Sequence, residues 1–250
     1  MDVQKSRDTF RDTEEEHSVF VPCYNEEKRL CDNILKIYGE LNKINENFRL
    51  YIVNDNSSDQ TGEMAKRLCE RYNKIDCLNY SYGPTRRENL ATSFKHAHGE
   101  IIMFMDLDLS TDLSCTSKII SEIEDGADIA IGSRYTKGAK INRKISRRII
   151  SFFYNLFVNL YFGTKIKDHE CGFKAFKKEV IFDLLNDLGF DKELKRGVFW
   201  DTELLIRAQK KSYKIVELPI TWNERDKSAL CVRNEIKLIR YMLKFKFKRI

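Results

Sequence analysis

The sequence lacks the marks of several large protein classes. Its opening, "MDVQKSRDTFRDTEEEHS", is polar throughout, so a cleaved secretory leader is not expected. No stretch supplies the roughly 20 apolar residues that a membrane-spanning helix needs. The longest apolar run, 149–163, is broken by Ser151, Asn155 and Asn159. The seven cysteines (Cys23, Cys31, Cys69, Cys77, Cys115, Cys171 and Cys231) are odd in number, and none stands at CxxC spacing. Free thiols in a reducing compartment are therefore expected, and a structural zinc site is not. Internal repeats, low-complexity linkers and recognised nucleic-acid-binding motifs are also missing.

What remains is a chain of 250 residues, the size of one large domain or of one domain with a small appendage. Its 42% hydrophobic and 12% aromatic content supports a substantial core, and 33% charged residues supply a water-facing surface. The net charge of +6 is concentrated in two places. Lys137, Lys140, Arg143, Lys144, Arg147 and Arg148 form one cluster; Arg233, Lys237, Arg240, Lys244, Lys246, Lys248 and Arg249 form the other. Such patches call for an anionic partner: a phosphorylated ligand, a membrane surface or nucleic acid. Nucleic acid is the weakest of the three, because the aromatics near the first patch form a continuous apolar face rather than interleaving with the charges.

Residues 1–17 read as a disordered leader by charge and lack of period. From Ser18 strands and helices alternate. "SVFVP" is a strand and 26–41 a helix; "RLYIVND" is a strand and "SSDQTGEMAKRLCERY" a helix capped by Ser58 or Asp59. "DCLNYS", a helix near 87–97, "IIMFMD", a helix near 113–124 and "ADIAIGS" continue the pattern. Short apolar strands between amphipathic helices predict an α/β fold with a mainly parallel sheet flanked by helices. Ligands bind such sheets beyond the carboxyl ends of the strands. Asn25-Glu26, Asp55, Asp106 with Asp108, and Ser133-Arg134 each follow a predicted strand and are expected on one rim.

Asp106 and Asp108 point to one side of an extended segment, because side-chain direction has a period of two. Two adjacent carboxylates repel unless a cation lies between them. Hard oxygen donors favour Mg²⁺ or Mn²⁺, held by one or two carboxylates plus substrate phosphates. A turn that caps the next helix is the plainer reading, but Ser110, Thr111 and Asp112 already offer caps. The run "IIMFMDLDLS" also looks like the nucleophile loop of haloacid-dehalogenase-type phosphatases, although three strand–helix units precede it here. A non-catalytic membrane adaptor is a third class, and it would have no use for the paired aspartates.

The segments "VPCYNEE", "VNDNSSDQT", "MDLDLSTD", "IGSRY", "DHECGFKAF" and "WDTELLIRAQKKSYKIVELPITW" occur in the order found in family 2 glycosyltransferases. Over about residues 18–230 the chain resembles their polyprenyl-phosphate branch, the dolichyl-phosphate glucose and mannose synthases. "CGFKAF" and "WDTELL" look more like the glucosyl members.

The resemblance implies a GT-A, Rossmann-like domain and inverting transfer of a hexose from a nucleotide sugar to a polyprenyl or dolichyl phosphate. UDP-glucose is the first choice of donor, with GDP-mannose and a UDP-N-acetylhexosamine as alternatives. It implies that Pro22, Tyr24 and Glu26 hold the base and ribose, and that Asp55 accepts a hydrogen bond from the base. Asn54 and Asn56 stand where the family more often has Asp and Gly. Asp106 and Asp108 would hold the metal on the diphosphate, with Ser110 a further contact. Arg134 would meet a phosphate, and Asp201 sits at the family's base position, although the residues alone also allow it to cap a helix at 202–210. Arg225, Lys227 and Ser228 resemble the loop that meets the lipid phosphate. The segment 83–94 lacks the family's usual glycines, and Arg86 and Arg87 are its candidates for phosphate contact.

The stretch "RKISRRIISFFYNLFVNLYFG" predicts a helix over about 143–163 with a stripe of Arg147/Arg148, Ser151, Asn155 and Asn159 and an apolar remainder. A basic, strongly apolar helix suits the headgroup region of a membrane, where each Lys or Arg contributes about 1 kcal/mol near an anionic leaflet. A buried helix between sheet and lid is the alternative. Residues 231–250 form a second basic amphipathic segment. Together these features predict a peripheral protein on the cytoplasmic face of a membrane.

Overall fold

The computed structural model describes residues 17–45, 47–85, 87–193, 196–225 and 241–247. The chain forms two compact units that meet in sequence between Leu107 and Asp108.

The first unit carries four parallel strands, β1 (His17–Cys23), β2 (Phe48–Asp55), β3 (Ile75–Tyr80) and β4 (Ile101–Met105), in the order β3-β2-β1-β4. Their β-branched and aromatic runs are buried on both faces, as parallel strands require. Helix α1 (Leu30–Ile44) buries Leu30, Ile34, Ile37 and Leu41, a three-to-four-residue spacing that keeps one stripe on the sheet. Each such side chain contributes about 1.5–3 kcal/mol by leaving water. Helix α2 (Thr61–Arg71) adds Ala65 and Leu68, and α3 (Glu88–Ser93) runs into a 3-10 turn at Phe94–His96. Phe20 stacks on Tyr51 at 4.5 Å and meets Phe94 edge-on at 5.0 Å.

The second unit carries β5 (Ile129–Ser133), β7 (Phe173–Lys177) and β8 (Ile215–Pro219). β5 is central, parallel to β8 and antiparallel to β7. A separate parallel pair joins β6 (Lys140–Asn142) to β9 (Thr221–Asn223). Helices α4 (Thr116–Glu124) and α6 (Lys178–Leu188) bury Ile119, Ile120, Ile123, Val180, Ile181 and Leu184. Helix α5 (Ile145–Phe162) ends on Gly163, whose φ of 73° is the left-handed conformation that closes helices. Helix α7 (Phe199–Lys210) is buried along most of its length. Val158, Phe199 and Ile206 pack with Met242 and Phe245, so the helical turn at 241–246 docks on α5 and α7.

Several boundaries differ from the sequence reading. The leader expected over 1–17 lies outside the described residues except for His17, which opens β1. Helix α1 begins at Leu30 rather than residue 26, because 25–27 are bonded to the Ser57–Thr61 turn. α2 begins at Thr61 rather than directly after Ser58 or Asp59, and Asp59 serves it by accepting from Thr61 N at 2.9 Å. α7 starts at Phe199, so Asp201 lies inside its first turn and is not its N-cap. Asp112 does cap, accepting from Ser114 N at 2.9 Å.

Candidate active site

In the first unit the parallel strands bring four loops to one edge: 24–29 after β1, 56–60 after β2, 81–87 after β3, and Asp106 after β4. Pro22 pairs with Val53 at the end of β1, and Tyr24 is exposed beyond it. The Glu26 carboxylate is held by Arg29, at 2.8 Å from Nη2 and through Nε. Asn25 caps the neighbouring loop, its Oδ1 accepting from Ser58 N at 2.8 Å.

Asp55 is buried and its carboxylate is fully engaged. It accepts from Thr85 N at 2.7 Å, Thr85 Oγ1 at 3.0 Å and Asn89 Nδ2 at 2.6 Å. Asn89 Nδ2 also donates to Tyr82 O at 2.6 Å, so Asp55 ties Thr85 and Asn89, and through Asn89 Tyr82, to the end of β2. The clamp needs a glycine at 83, where a Cβ would lie 2.7 Å from Asp55 Oδ1. The two asparagines that depart from the usual family pattern have clear local roles. Asn54 Oδ1 accepts from Ser57 N at 3.2 Å. Asn56 has a φ of 62°, which Asn tolerates better than other side chains, and its Nδ2 donates to Gly83 O at 3.1 Å. Arg87, at the head of α3, reaches Asp106 Oδ1 at 3.1 Å and lies 5.1 Å above the Phe104 ring.

In the second unit Asp108 accepts from Ser110 N at 2.9 Å and Ser110 Oγ at 2.7 Å. The turn depends on Leu109, whose φ of 53° is costly for a residue with a β-carbon, about 1–2 kcal/mol. Asn223 N donates to Ser110 O at 2.8 Å and Asp112 N to Thr221 O at 3.0 Å, which seats this segment against β9. Arg225, two residues past β9, is exposed and near enough to Asp112 to help hold its carboxyl below the usual range, after the larger effect of the Ser114 hydrogen bonds. Lys227 and Ser228 lie outside the described residues.

Because β7 runs antiparallel to β5, the start of β7 meets the end of β5 and sets residues 168–172 beside Arg134. Asp168 is buried and takes three bonds from Arg134: from N at 2.9 Å, Nε at 2.7 Å and Nη2 at 2.7 Å. The guanidinium lies 4.9 Å from the Trp222 ring centroid. Burial lowers the guanidinium pKa, but the Asp168 carboxylate more than compensates, and the net shift is upward. The fork leaves Nη1 of Arg134 for another partner. Lys174, buried within β7, donates to Asp201 Oδ1 at 2.7 Å and to Cys171 O. Glu170 accepts no hydrogen bond among the described residues, and desolvation pushes its carboxyl up to about 7.

Helix α5 reverses the usual sense of an amphipathic helix. Its Ser151 and Asn155 face the protein. Asn155 Oδ1 accepts from His169 N at 3.0 Å and contacts His169 Nδ1 at 2.7 Å, while Asn155 Nδ2 donates to Ser151 O at 2.8 Å. Ser151 Oγ accepts from Arg143 Nη1 at 2.8 Å. Ile149, Ile150, Phe152, Phe153, Leu156, Phe157 and Leu160 are exposed. Arg143 and Arg147 both pair with Glu224, at 3.1 and 2.8 Å, whereas Lys137, Lys140, Lys144 and Arg148 are exposed. No helix among the described residues is long and apolar enough to cross a membrane.

Sequence reasoning singled out Arg134, Asp201 and the "DHECGFKAF" stretch but gave no roles to Asp168, His169, Glu170 and Lys174. The available signal was a lysine between the apolar residues Phe173 and Ala175 of a strand, with three ionisable residues, Asp168, His169 and Glu170, a few positions before it.

The carboxylates suit a hard divalent cation. Asp106 already draws a positive group, the Arg87 guanidinium, and Asp108 presents carboxylate oxygens oriented by Ser110. Among the described residues no three or more His, Cys, Asp or Glu side chains gather as a complete metal cage.

These features belong to the GT-A class of α/β glycosyltransferases. Within it the chain belongs to glycosyl transferase family 2, whose pattern matches residues 18–185. It is 30% identical over 241 residues to the dolichyl-phosphate beta-glucosyltransferase ALG5A of Trichomonas vaginalis, covering 91% of this chain and 72% of that protein. It is 31% identical over 214 residues to the glycosyltransferase AglD of Haloferax volcanii, covering 84% of this chain but 33% of that one, so the chain spans a third of that relative's length. The glucosyl-3-phosphoglycerate synthase of Mycobacterium tuberculosis, solved with Mn²⁺, UDP and glucosyl-3-phosphoglycerate, shares the fold. Its TM-score is 0.67 at 15% identity, covering 92% of this chain and 79% of that one.

Proposed function

We propose that this chain transfers a hexose, with inversion, from a nucleotide sugar to a dolichyl or related polyprenyl phosphate. UDP-glucose is the favoured donor, ahead of GDP-mannose and UDP-N-acetylhexosamine. The observation that carries the reading is the likeness to a dolichyl-phosphate beta-glucosyltransferase over 91% of the chain. The aspartates of the "DLD" segment are intact within that span.

In this reading Pro22, Tyr24 and Glu26 receive the base and ribose, and Asp55 serves them through the loop it clamps. Asp106 and Asp108 would hold Mg²⁺ or Mn²⁺, with Ser110, which also orients the Asp108 carboxylate, a further contact. The bound metal supplies charge stabilisation to the departing diphosphate. Nη1 of Arg134, with Arg225, Lys227 and Ser228, receives the acceptor phosphate. A phosphate monoester has a second pKa of about 6, so at pH 7 most of the acceptor is already a dianion and needs no strong base. Asp201, paired with Lys174, then orients sugar or acceptor rather than taking a proton.

The outward apolar face of α5 and its exposed cations support work at an anionic membrane surface, with the protein peripheral on the cytoplasmic side. A lipid acceptor calls for access to a membrane surface.

Calorimetric titration of UDP and of GDP, each with and without Mn²⁺, into wild type and Asp108→Ala tests the donor reading. One nucleotide is expected to bind in a metal-dependent way that the variant loses. Failure of both to bind overturns the donor assignment. Arg225→Glu is expected to impair transfer to lipid phosphate more than hydrolysis of the donor, and equal losses would remove its acceptor role.

A further inference from the structure

Arg87 occupies an unusual position. It sits on a rigid mount: Thr85 and Asn89 on either side of it are bonded to Asp55, Arg87 N donates to Thr85 O at 2.9 Å, and Ala91 N donates to Arg87 O at 2.8 Å. The backbone is therefore fixed, and what can move is the long side chain. That side chain lies across the face of Phe104 and delivers Nη2 to Oδ1 of Asp106. The Asp106 side chain is 39% exposed. Water therefore reaches and screens the pair from the aspartate side, while the Arg87 side chain is 14% exposed. Arg134 and Asp168 are the contrast, a forked pair buried on both sides.

We infer that Arg87 is the resident counter-ion of Asp106 and couples metal loading to nucleotide loading. The inference rests on the donor-site reading above. A divalent cation arriving alone at Asp106 must displace a guanidinium from the same carboxylate. A cation arriving with a nucleoside diphosphate meets a different situation, because the diphosphate offers the guanidinium several anionic oxygens that match its planar fork. Arg87 then turns from Asp106 to the diphosphate, and the released carboxylate takes the metal. The two ligands bind better together than apart, and the site does not hold a bare cation at full strength while awaiting donor.

The test is isothermal titration of Mn²⁺ alone, UDP alone and UDP with Mn²⁺ into wild type, Arg87→Gln, Arg87→Lys and Asp106→Asn. Arg87→Gln is expected to bind Mn²⁺ alone at least about fivefold more tightly than wild type. In the same variant the gain in UDP affinity on adding metal should shrink by at least about fivefold, the lower range of ordinary coupling between sites. Wild-type values for both quantities in Arg87→Gln overturn the inference. Asp106→Asn separates the two levels. If UDP binding stays metal-dependent without that carboxylate, Asp108 suffices to hold the cation and the counter-ion inference falls while the donor-site reading stands. If wild type shows no metal-dependent UDP binding, the donor-site reading itself falls. If Asp106→Asn abolishes metal dependence while Arg87→Gln changes nothing, the counter-ion role alone falls. Should Arg87→Gln fail to fold, Arg87→Met, equally uncharged, decides on the same two readouts, and Arg87→Lys, which keeps the charge without the fork, is expected to retain part of the coupling.

Discussion

Nζ of Lys174 lies 2.7 Å from Oδ1 of Asp201, with both side chains buried. Removing one member of such a pair strands the other charge, at a cost of about 3–5 kcal/mol. Lys174→Met is expected to lose stability of that order in urea denaturation. Lys174→Met combined with Asp201→Leu should regain much of it, because no lone charge is left. Strictly additive losses would show that the two residues are not energetically linked.

Glu170 gives the protein a pH signature. Desolvation raises its carboxyl to about 7, the Asp168 and Asp201 charges add to the rise, and Arg134 and Arg143 oppose it. The folded value lies above the ordinary one near 4.5, so its favourable contribution is complete below about 4.5 and lost as pH rises through about 7. Glu170→Gln is expected to leave stability near pH 4.5 unchanged and to raise it at pH 8 by up to about 3 kcal/mol. His169 works the other way. Burial lowers it to about 4, so its contribution is present above about 6.5 and disappears as pH falls toward 4. Melting temperatures of wild type and Glu170→Gln between pH 4 and 8 should therefore diverge with rising pH, and parallel curves would refute the assignment.

Asp55→Ala would leave the buried donors of Thr85 and Asn89 without their acceptor. Each orphaned group costs about 1–3 kcal/mol, so a stability loss of roughly 2–4 kcal/mol is expected together with weaker UDP binding. Weakened binding with unchanged stability would instead mark a direct contact to the base.

For α5, Phe153→Asp with Leu160→Asp changes side chains that are 59% and 78% exposed. Stability should stay within about 0.5 kcal/mol of wild type, as for most surface changes. Cosedimentation with phosphatidylserine-containing vesicles should fall sharply. Asn155→Leu should do the reverse, destabilising the fold by removing the partner of His169 while sparing the outer face. Vesicle binding that survives the double aspartate variant would rule out this face as the membrane contact.

The strand–helix alternation was legible because period-two and period-3.6 patterns are local properties of the chain. So were the strand-end carboxylates, since a polar residue following an apolar run is visible without coordinates. Helix starts were less so: α1 is delayed to Leu30 by bonds to a turn more than thirty residues away. The partners of Arg134 and Lys174 were hidden for the same reason, lying 34 and 27 residues distant. For α5 the two faces could be read from spacing, but their direction could not. Spacing says that Ser151 and Asn155 share one side and that Phe153 lies on another, and only the contacts of His169 and Arg143 say which side turns inward.

The docking of Met242 and Phe245 against Val158, Phe199 and Ile206 sets a practical limit on shortening this chain. Tyr241, in the same turn, donates to Glu203 Oε2 at 2.7 Å, so a cut before residue 241 would open an apolar pocket and remove a hydrogen bond from a buried carboxylate at once. Trimming that looks harmless by charge and composition would thus expose sticky surface in the second unit.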